Sequence, residues 1–244
     1  MSSNKTAIVT GASSGLGFAI AKAFLDLGYN VVGNARTQER LDTAAAELGN
    51  PDRFLGVAGD ISLPETAERL LDHALEAFGK VDVLVNNAGI FVARDFIDFT
   101  TAEIDAVIDT NLRGFIYPTQ VVARHMVSRK EGSIVNVTAS VGMQPDRNVP
   151  GTMAVLTKGG LNAVTRGLSI ELSPHNVRVN AVAPGVIDTP MHSPETHEFL
   201  SRLNPAGRLG TPEEIAEAVV YLAQASFING VVLPVDGGGT AGRW

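Results

Sequence analysis

Thr10-Gly11-Ala12-Ser13-Ser14-Gly15-Leu16-Gly17 follows directly on the apolar run Thr6-Ala7-Ile8-Val9 and opens a segment of helical periodicity that reaches about Leu27. Glycines at a turn of this kind let backbone approach a pyrophosphate, and the start of the following helix supplies unpaired N–H groups with a partial positive charge. Alone, such a turn is an ordinary tight connection from strand to helix. Its neighbours decide the reading, because a second strand-like run, Asn30 to Ala35, comes next and completes a βαβ unit. Gly11, Ser13, Ser14, Gly15, Leu16 and Gly17 are therefore expected to cradle the phosphates of a dinucleotide.

The same rhythm runs outward along the chain. A helix through Leu48 precedes a strand at Phe54 to Ala58, and a helix from Pro64 to Phe78 precedes Val81-Asp82-Val83-Leu84-Val85, a nearly unbroken apolar run of the kind buried on both faces of a parallel sheet. Thr101 to Arg129 has helical periodicity interrupted by Pro118, which predicts two helical pieces or a kink between Asn111 and Pro118. Further strands are expected at Ser133 to Val137, Val177 to Val182 and Val231 to Val235. Helices are expected at about Thr152 to Leu172, Glu195 to Leu203, and after the N-cap signal Thr211-Pro212-Glu213-Glu214. The sum is an α/β chain: a Rossmann-type doubly wound parallel sheet of about seven strands in a single domain.

Bulk properties narrow the function. A formal net charge of -7 weighs against the basic face that phosphate neutralisation needs, so neither nucleic acid nor an acidic membrane is an expected partner. With no cysteine, thiolate catalysis, disulfides and Cys-ligated zinc are out of reach, and no His and carboxylate cluster has metal-ligand spacing. No run of about 18 apolar residues occurs, so a cytoplasmic location is the default. Small-molecule chemistry is the expectation that remains.

Beyond the glycine-rich turn, the chain resembles the short-chain dehydrogenase/reductase family. The resemblance rests on the TGxxxGxG spacing, on Asn86-Asn87-Ala88-Gly89 after the fourth strand, on Asn111, on Lys158, and on Pro184-Gly185-Val186-Ile187-Asp188-Thr189 after the sixth strand. These motifs span nearly the whole chain. The resemblance implies that Asp60 and Ile61, after the third strand, and Asn87, Ala88 and Gly89 meet the adenosine side of a nicotinamide dinucleotide. It implies further that Lys158 holds the nicotinamide ribose, that Pro184, Gly185, Ile187 and Thr189 meet the nicotinamide, and that about 188–208 forms a substrate lid. Family members interconvert alcohols and carbonyl compounds and are commonly tetramers, so a homo-oligomer, tetramer or dimer, and a small-molecule substrate are implied.

Cofactor choice turns on the end of the second strand, Val31-Val32-Gly33-Asn34-Ala35-Arg36. An acid there would bind the ribose 2'-OH of NAD(H), whereas a cation accepts a 2'-phosphate. No carboxylate is present and Arg36 can fork onto a phosphate, so NADP(H) is preferred and NAD(H) stays possible.

The catalytic pattern departs from the family. Its YxxxK motif reads Ala154-Val155-Leu156-Thr157-Lys158 here, with alanine in the tyrosine position. The only tyrosines are Tyr29, Tyr117 and Tyr221, and spacing puts none of them on that helix. Ala139 occupies the slot of the family's serine, between Thr138 and Ser140, and Ser140 serves if the strand ends one residue later. The loop through Gln144-Pro145-Asp146-Arg147 is about two residues longer than the family resemblance implies. The expected catalytic residues are thus Asn111, Ser140 and Lys158, with His192 and His197 of the lid also able to move protons near neutrality. The first reading is an oxidoreductase with altered proton delivery. The second is a catalytically impaired dinucleotide-binding protein, acting as sensor or partner subunit.

Overall fold

The computed structural model describes residues 4–242. Strands and helices alternate through β1 (Thr6–Val9), α1 (Gly15–Asp26), β2 (Asn30–Ala35), α2 (Gln38–Glu47), β3 (Phe54–Ala58), α3 (Pro64–Phe78) and β4 (Val83–Asn86). The second half continues with α4 (Thr101–Ile108), α5 (Gly114–Arg129), β5 (Gly132–Val137), α6 (Thr152–Leu172), β6 (Val177–Pro184), α7 (His197–Ser201), α8 (Pro212–Gln224) and β7 (Val232–Val235). All pairings are parallel and the order is β3-β2-β1-β4-β5-β6-β7, which is the doubly wound sheet of seven strands that the sequence predicts. Among the described residues no helix is long and apolar enough to cross a membrane.

Period-two alternation divides the core. Val9, Val31, Val85, Val135 and Val182 face one way and pack with Ile20 and Phe24 of α1 and Ile215, Val219 and Leu222 of α8. Ile8, Val32, Leu84, Ile134 and Val179 face the other way, against Leu70 of α3 and Val122 and Met126 of α5. Both faces of the sheet are therefore sealed, and polar chemistry is left to the strand ends.

The break expected between Asn111 and Pro118 lies at its upstream edge. A π-turn at Asp109–Arg113 separates α4 from α5, and Pro118 lies inside α5. Proline has no N–H for the carbonyl four residues back and crowds it; that carbonyl belongs to Gly114, where the π-turn ends and the backbone has already been re-aimed. Strand ends also move by a residue or two: β4 starts at Val83, β6 continues to Pro184 and β7 starts at Val232. The helix expected at Glu195 to Leu203 is a 3-10 turn at Pro194–Thr196 followed by the short α7.

At the start of α8, Thr211 accepts from the Glu214 N–H and Glu214 accepts from the Thr211 N–H, so two end groups of the helix are satisfied reciprocally. Arg208 forks onto the same carboxylate at 2.6 and 2.9 Å, and that fork first, then the Thr211 N–H, holds the Glu214 carboxyl down at about 2. Its folded value lies below the unfolded one of about 4.3. The resulting stabilisation is complete above that range and is lost as pH falls towards 2. Thr211→Ala is expected to lower unfolding free energy by about 1 kcal/mol, with an unchanged m-value in a urea titration.

Candidate active site

The strand order reverses between β1 and β4, so their C-terminal ends diverge into a crevice. Thr10 pins its two lips together: the hydroxyl donates to the Val85 carbonyl and accepts from the Asn87 and Ala88 N–H groups at 3.0 Å each. The Asn87 amide returns the contact, donating to the carbonyls of Thr10 at 2.9 Å and Gly11 at 3.3 Å. Between these lips runs the glycine-rich turn, where Gly11 and Gly15 take φ of 68° and 54°, a region open mainly to glycine. Gly17 is needed for another reason: a Cβ there would lie 2.1 Å from the Gly11 carbonyl oxygen and 2.5 Å from Asn87 Nδ2.

Ser14 is the N-cap of α1 in extended conformation, and no side chain caps the helix. Its first N–H groups are therefore open to an anion, so the turn suits the pyrophosphate of a dinucleotide. Arg36 is exposed at the end of β2. Arg40, one turn further along, donates from Nη2 to Ser14 Oγ at 3.3 Å, which brings a second cation to the lip of the turn. Sequence reading missed Arg40, because its contact with Ser14 joins residues 26 apart in the chain.

After β3, Asp60 Oδ1 accepts from the N–H and hydroxyl of Ser62, a local turn that fixes its carboxylate. Ile61 is buried against the π-turn, since a Cβ on Gly114 would lie 2.8 Å from Ile61 Cγ2. At the opposite side, Gly185 donates to the Val235 carbonyl, and a parallel bridge joins Ile187 to Gly210. The segment 188–208 is thus tied at its base. Thr189 comes back over the glycine-rich turn, its Cβ 3.6 Å from where a Cβ on Gly15 would sit.

The three expected catalytic positions converge less evenly. Asn111, in the π-turn, is buried; its Oδ1 accepts from the Ile90 N–H at 2.8 Å, and its Nδ2 donates to the Ile90 carbonyl at 3.0 Å and to Thr157 Oγ1 at 3.3 Å. Lys158 Nζ donates to the Val137 carbonyl at 3.0 Å. Both side chains meet at Gly89, where a Cβ would lie 3.0 Å from Lys158 Nζ and 3.2 Å from Asn111 Oδ1. Burial pushes the Lys158 ammonium down to about 8. Ala154 is buried one turn before Lys158 on α6. Ala139 ends the extended stretch after β5, and Ser140 begins the 3-10 turn Ser140–Gly142, its carbonyl accepting from Met143 and Gln144.

The loop through Gln144-Pro145-Asp146-Arg147 is held from both ends. Asp146 accepts from the Asn148 and Val149 N–H groups, the Arg94 N–H donates to the Pro150 carbonyl at 2.9 Å, and Gly151 lies against the Phe91 ring. In the segment 188–208, His197 Nε2 stands 3.7 Å from Asp188 Oδ1. His192 is half-buried, and desolvation, then the neighbouring His197, lower its pKa. Among the described residues no group of His, Cys, Asp and Glu could hold a metal ion.

Comparison with known proteins follows the same outline. The family model described as Enoyl-(Acyl carrier protein) reductase matches residues 11–240. The chain is 36% identical over 242 residues to the 3-oxoacyl-[acyl-carrier-protein] reductase FabG of Thermotoga maritima, covering 96% of this chain and 97% of the relative. It is 37% identical over 246 residues to 3beta-hydroxysteroid dehydrogenase 1 of Eggerthella lenta, covering 97% and 94%. Among solved structures it superposes on the 3-ketoacyl-(acyl-carrier-protein) reductase of Brucella melitensis complexed with NADH, with a TM-score of 0.91 at 36% identity, covering 98% of this chain and 99% of that one. A short-chain type dehydrogenase/reductase from Mycobacterium marinum gives a TM-score of 0.93 at 31% identity, covering 98% and 97%.

Proposed function

The chain belongs to the short-chain dehydrogenase/reductase family, and from that membership we propose that it is an NADP(H)-dependent oxidoreductase interconverting a small alcohol and its carbonyl compound without the family's tyrosine. The observation that carries this reading is an uninterrupted dinucleotide cradle joined to a held Lys158 and Asn111. When bound, the nicotinamide gives or accepts a hydride. The turn from Gly11 to Gly17 and the start of α1 hold the pyrophosphate, Asp60, Ile61 and Asn87 to Gly89 hold the adenosine side, and Pro184 to Thr189 hold the nicotinamide. Lys158 holds the ribose, Asn111 fixes the Ile90 backbone beside it, Ser140 supports the substrate oxygen, and 188–208 covers the substrate.

Arg36, with Arg40 beside Ser14, favours NADP(H) over NAD(H). Arg36→Ala is expected to weaken NADPH binding about tenfold while leaving NADH binding within a factor of about two, read by cofactor fluorescence titration. Exposed apolar side chains of Leu156, Val164 and Ile170 on α6 and Ile116 on α5 suit a homo-oligomer, dimer or tetramer.

The test is NADPH oxidation by the purified protein against aldehydes, ketones and diketones, with NADPH binding titrated in the same preparation. Turnover supports the oxidoreductase reading. A second reading, a dinucleotide-binding protein acting as sensor or partner subunit, is favoured by Ala139 and Ala154 standing where the family places serine and tyrosine. Tight NADPH binding with no turnover across the panel is the result it expects.

A further inference from the structure

Losing a phenol from this site raises the question of which group can part with a proton there. The hydroxyls around the strand ends are committed: Thr157 Oγ1 donates to the Met153 carbonyl at 2.9 Å and accepts from Asn111, Thr138 donates to the Val182 carbonyl at 3.2 Å, and Thr10 donates to the Val85 carbonyl at 3.4 Å. Both polar atoms of Asn111 are engaged by the Ile90 backbone. Ser140 can donate a hydrogen bond but does not ionise near neutrality. At the strand ends what remains is the Lys158 ammonium, with three protons and a single bond, to Val137.

The surroundings of that ammonium are uncharged. The elements packed against it are the end of β5, the Ser140–Gly142 turn, the π-turn carrying Asn111, and the loop through Gly89. The charged groups of the π-turn, Asp109 and Arg113, pair with each other at 2.6 Å. Among the described residues no carboxylate forms an ion pair with Lys158, and nothing but burial shifts it, down to about 8. A desolvated ammonium with no carboxylate partner parts with a proton far more readily than one held by a carboxylate. Its distance from Ala154 is one helical turn on the same face, so side chains at 154 and 158 point into the same part of the cleft.

We propose that Lys158 is itself the acid and base of the reaction, exchanging a proton with the substrate oxygen from its place one helical turn beyond Ala154. This rests on the oxidoreductase reading above and assigns its proton. In reduction, the carbonyl carbon takes up hydride from the reduced nicotinamide while the C=O π pair moves onto oxygen. That oxygen forms a bond to a proton of Lys158, the N–H pair stays on Nζ, and the neutral amine is reprotonated from water. In oxidation the neutral amine removes the hydroxyl proton as hydride leaves the carbinol carbon. Reduction therefore needs the ammonium and oxidation the amine. kcat/KM for reduction is level below the Lys158 pKa and falls tenfold per pH unit above it, and the oxidation profile is the mirror image.

The test compares wild type with Lys158→Arg and Lys158→Ala. Arginine keeps the charge that holds a ribose but does not release a proton in this range. Lys158→Arg is expected to bind NADPH within about threefold of wild type and to lose about a hundredfold in kcat, together with the pH break, since a positioned acid contributes about 10² to 10⁴. Small primary amines are expected to restore turnover to Lys158→Ala, more so as their pKa approaches the assay pH. Independently of turnover, NMR of protein labelled at its lysine ε-carbons should show one resonance titrating near 8 that is missing in Lys158→Arg. Retention of most activity and of the pH break in Lys158→Arg would overturn the assignment. So would a break that disappears in His192→Gln, which would move the proton to the lid. An absence of turnover in wild type with NADPH bound would instead overturn the oxidoreductase reading, and the proton assignment with it.

Discussion

Gly17→Val is expected to raise the Kd for NADPH by at least about a hundredfold, roughly 2.7 kcal/mol, while the protein still folds. A Cβ at this position would lie 2.1 Å from the Gly11 carbonyl oxygen, and real atoms do not approach so closely, so the helix or the turn has to move. Moving the helix is costly, because α1 packs through Ile20 and Phe24 into a sealed core with α8. The turn is the softer side. Shifting it displaces Gly11 and pushes on the Asn87 amide, which would itself lie 2.5 Å from the new Cβ and which ties the turn to the end of β4. Both lips of the crevice are then out of register with the open N–H groups at the start of α1. Fluorescence titration with NADPH reads the loss, and near-UV circular dichroism checks that the core survives. Wild-type affinity in a folded Gly17→Val protein would mean that the dinucleotide binds elsewhere.

Much of this is written locally in the chain. Val83, Leu84 and Val85 are apolar in succession because both sheet faces are covered, and the glycine-rich turn declares itself because strand, turn and helix are contiguous. Element ends are less legible. β6 runs on through Pro184 because proline at the last position of a strand gives up only one ladder bond, and nothing in a period-two pattern marks that. The π-turn is equally silent, since Pro118 advertises a disturbance without saying that the turn before it will absorb it.

Site chemistry divides in the same way. Lys158 and Asn111 are singled out by their motifs. Their working geometry depends on partners far away in sequence, the Val137 carbonyl for Lys158 and Ile90 and Thr157 for Asn111. Arg40 against Ser14 and Thr10 across to Asn87 leave no periodicity to read, because each contact exists only after the sheet has formed; Arg208 forked onto Glu214 is local, but its spacing of six residues matches no helix period. The same holds for the buried chain from Thr119 through Asn86 and Asn136 to Thr165, which joins α5, β4, β5 and α6 behind the active site.

Asp82→Ala tests whether stability and the site are separable. Asp82 is buried just before β4; its Oδ2 accepts from the Thr6 N–H at 2.8 Å and its Oδ1 from Arg129 Nη2 at 3.0 Å, with Lys80 Nζ 3.4 Å from Oδ2. Removing the carboxylate leaves a buried N–H without its acceptor and a largely buried guanidinium without its counter-charge. Breaking one side of a buried pair typically costs about 3 to 5 kcal/mol, and the orphaned N–H adds to the same penalty. Arg129 keeps its bond to the Val81 carbonyl, so the lower end, about 3 kcal/mol in a guanidinium titration, is expected. Asp82→Asn retains an acceptor for Thr6 and should lose less. Both changes fall at the N-terminal ends of β1 and β4, whereas the dinucleotide crevice opens at their C-terminal ends, a full strand length away. NADPH affinity at low temperature should therefore match wild type. A loss under about 1 kcal/mol would mean that water reaches this pair and that it behaves as a surface ion pair. A weakened NADPH affinity would mean that strain at the start of these two strands is transmitted along them to the crevice.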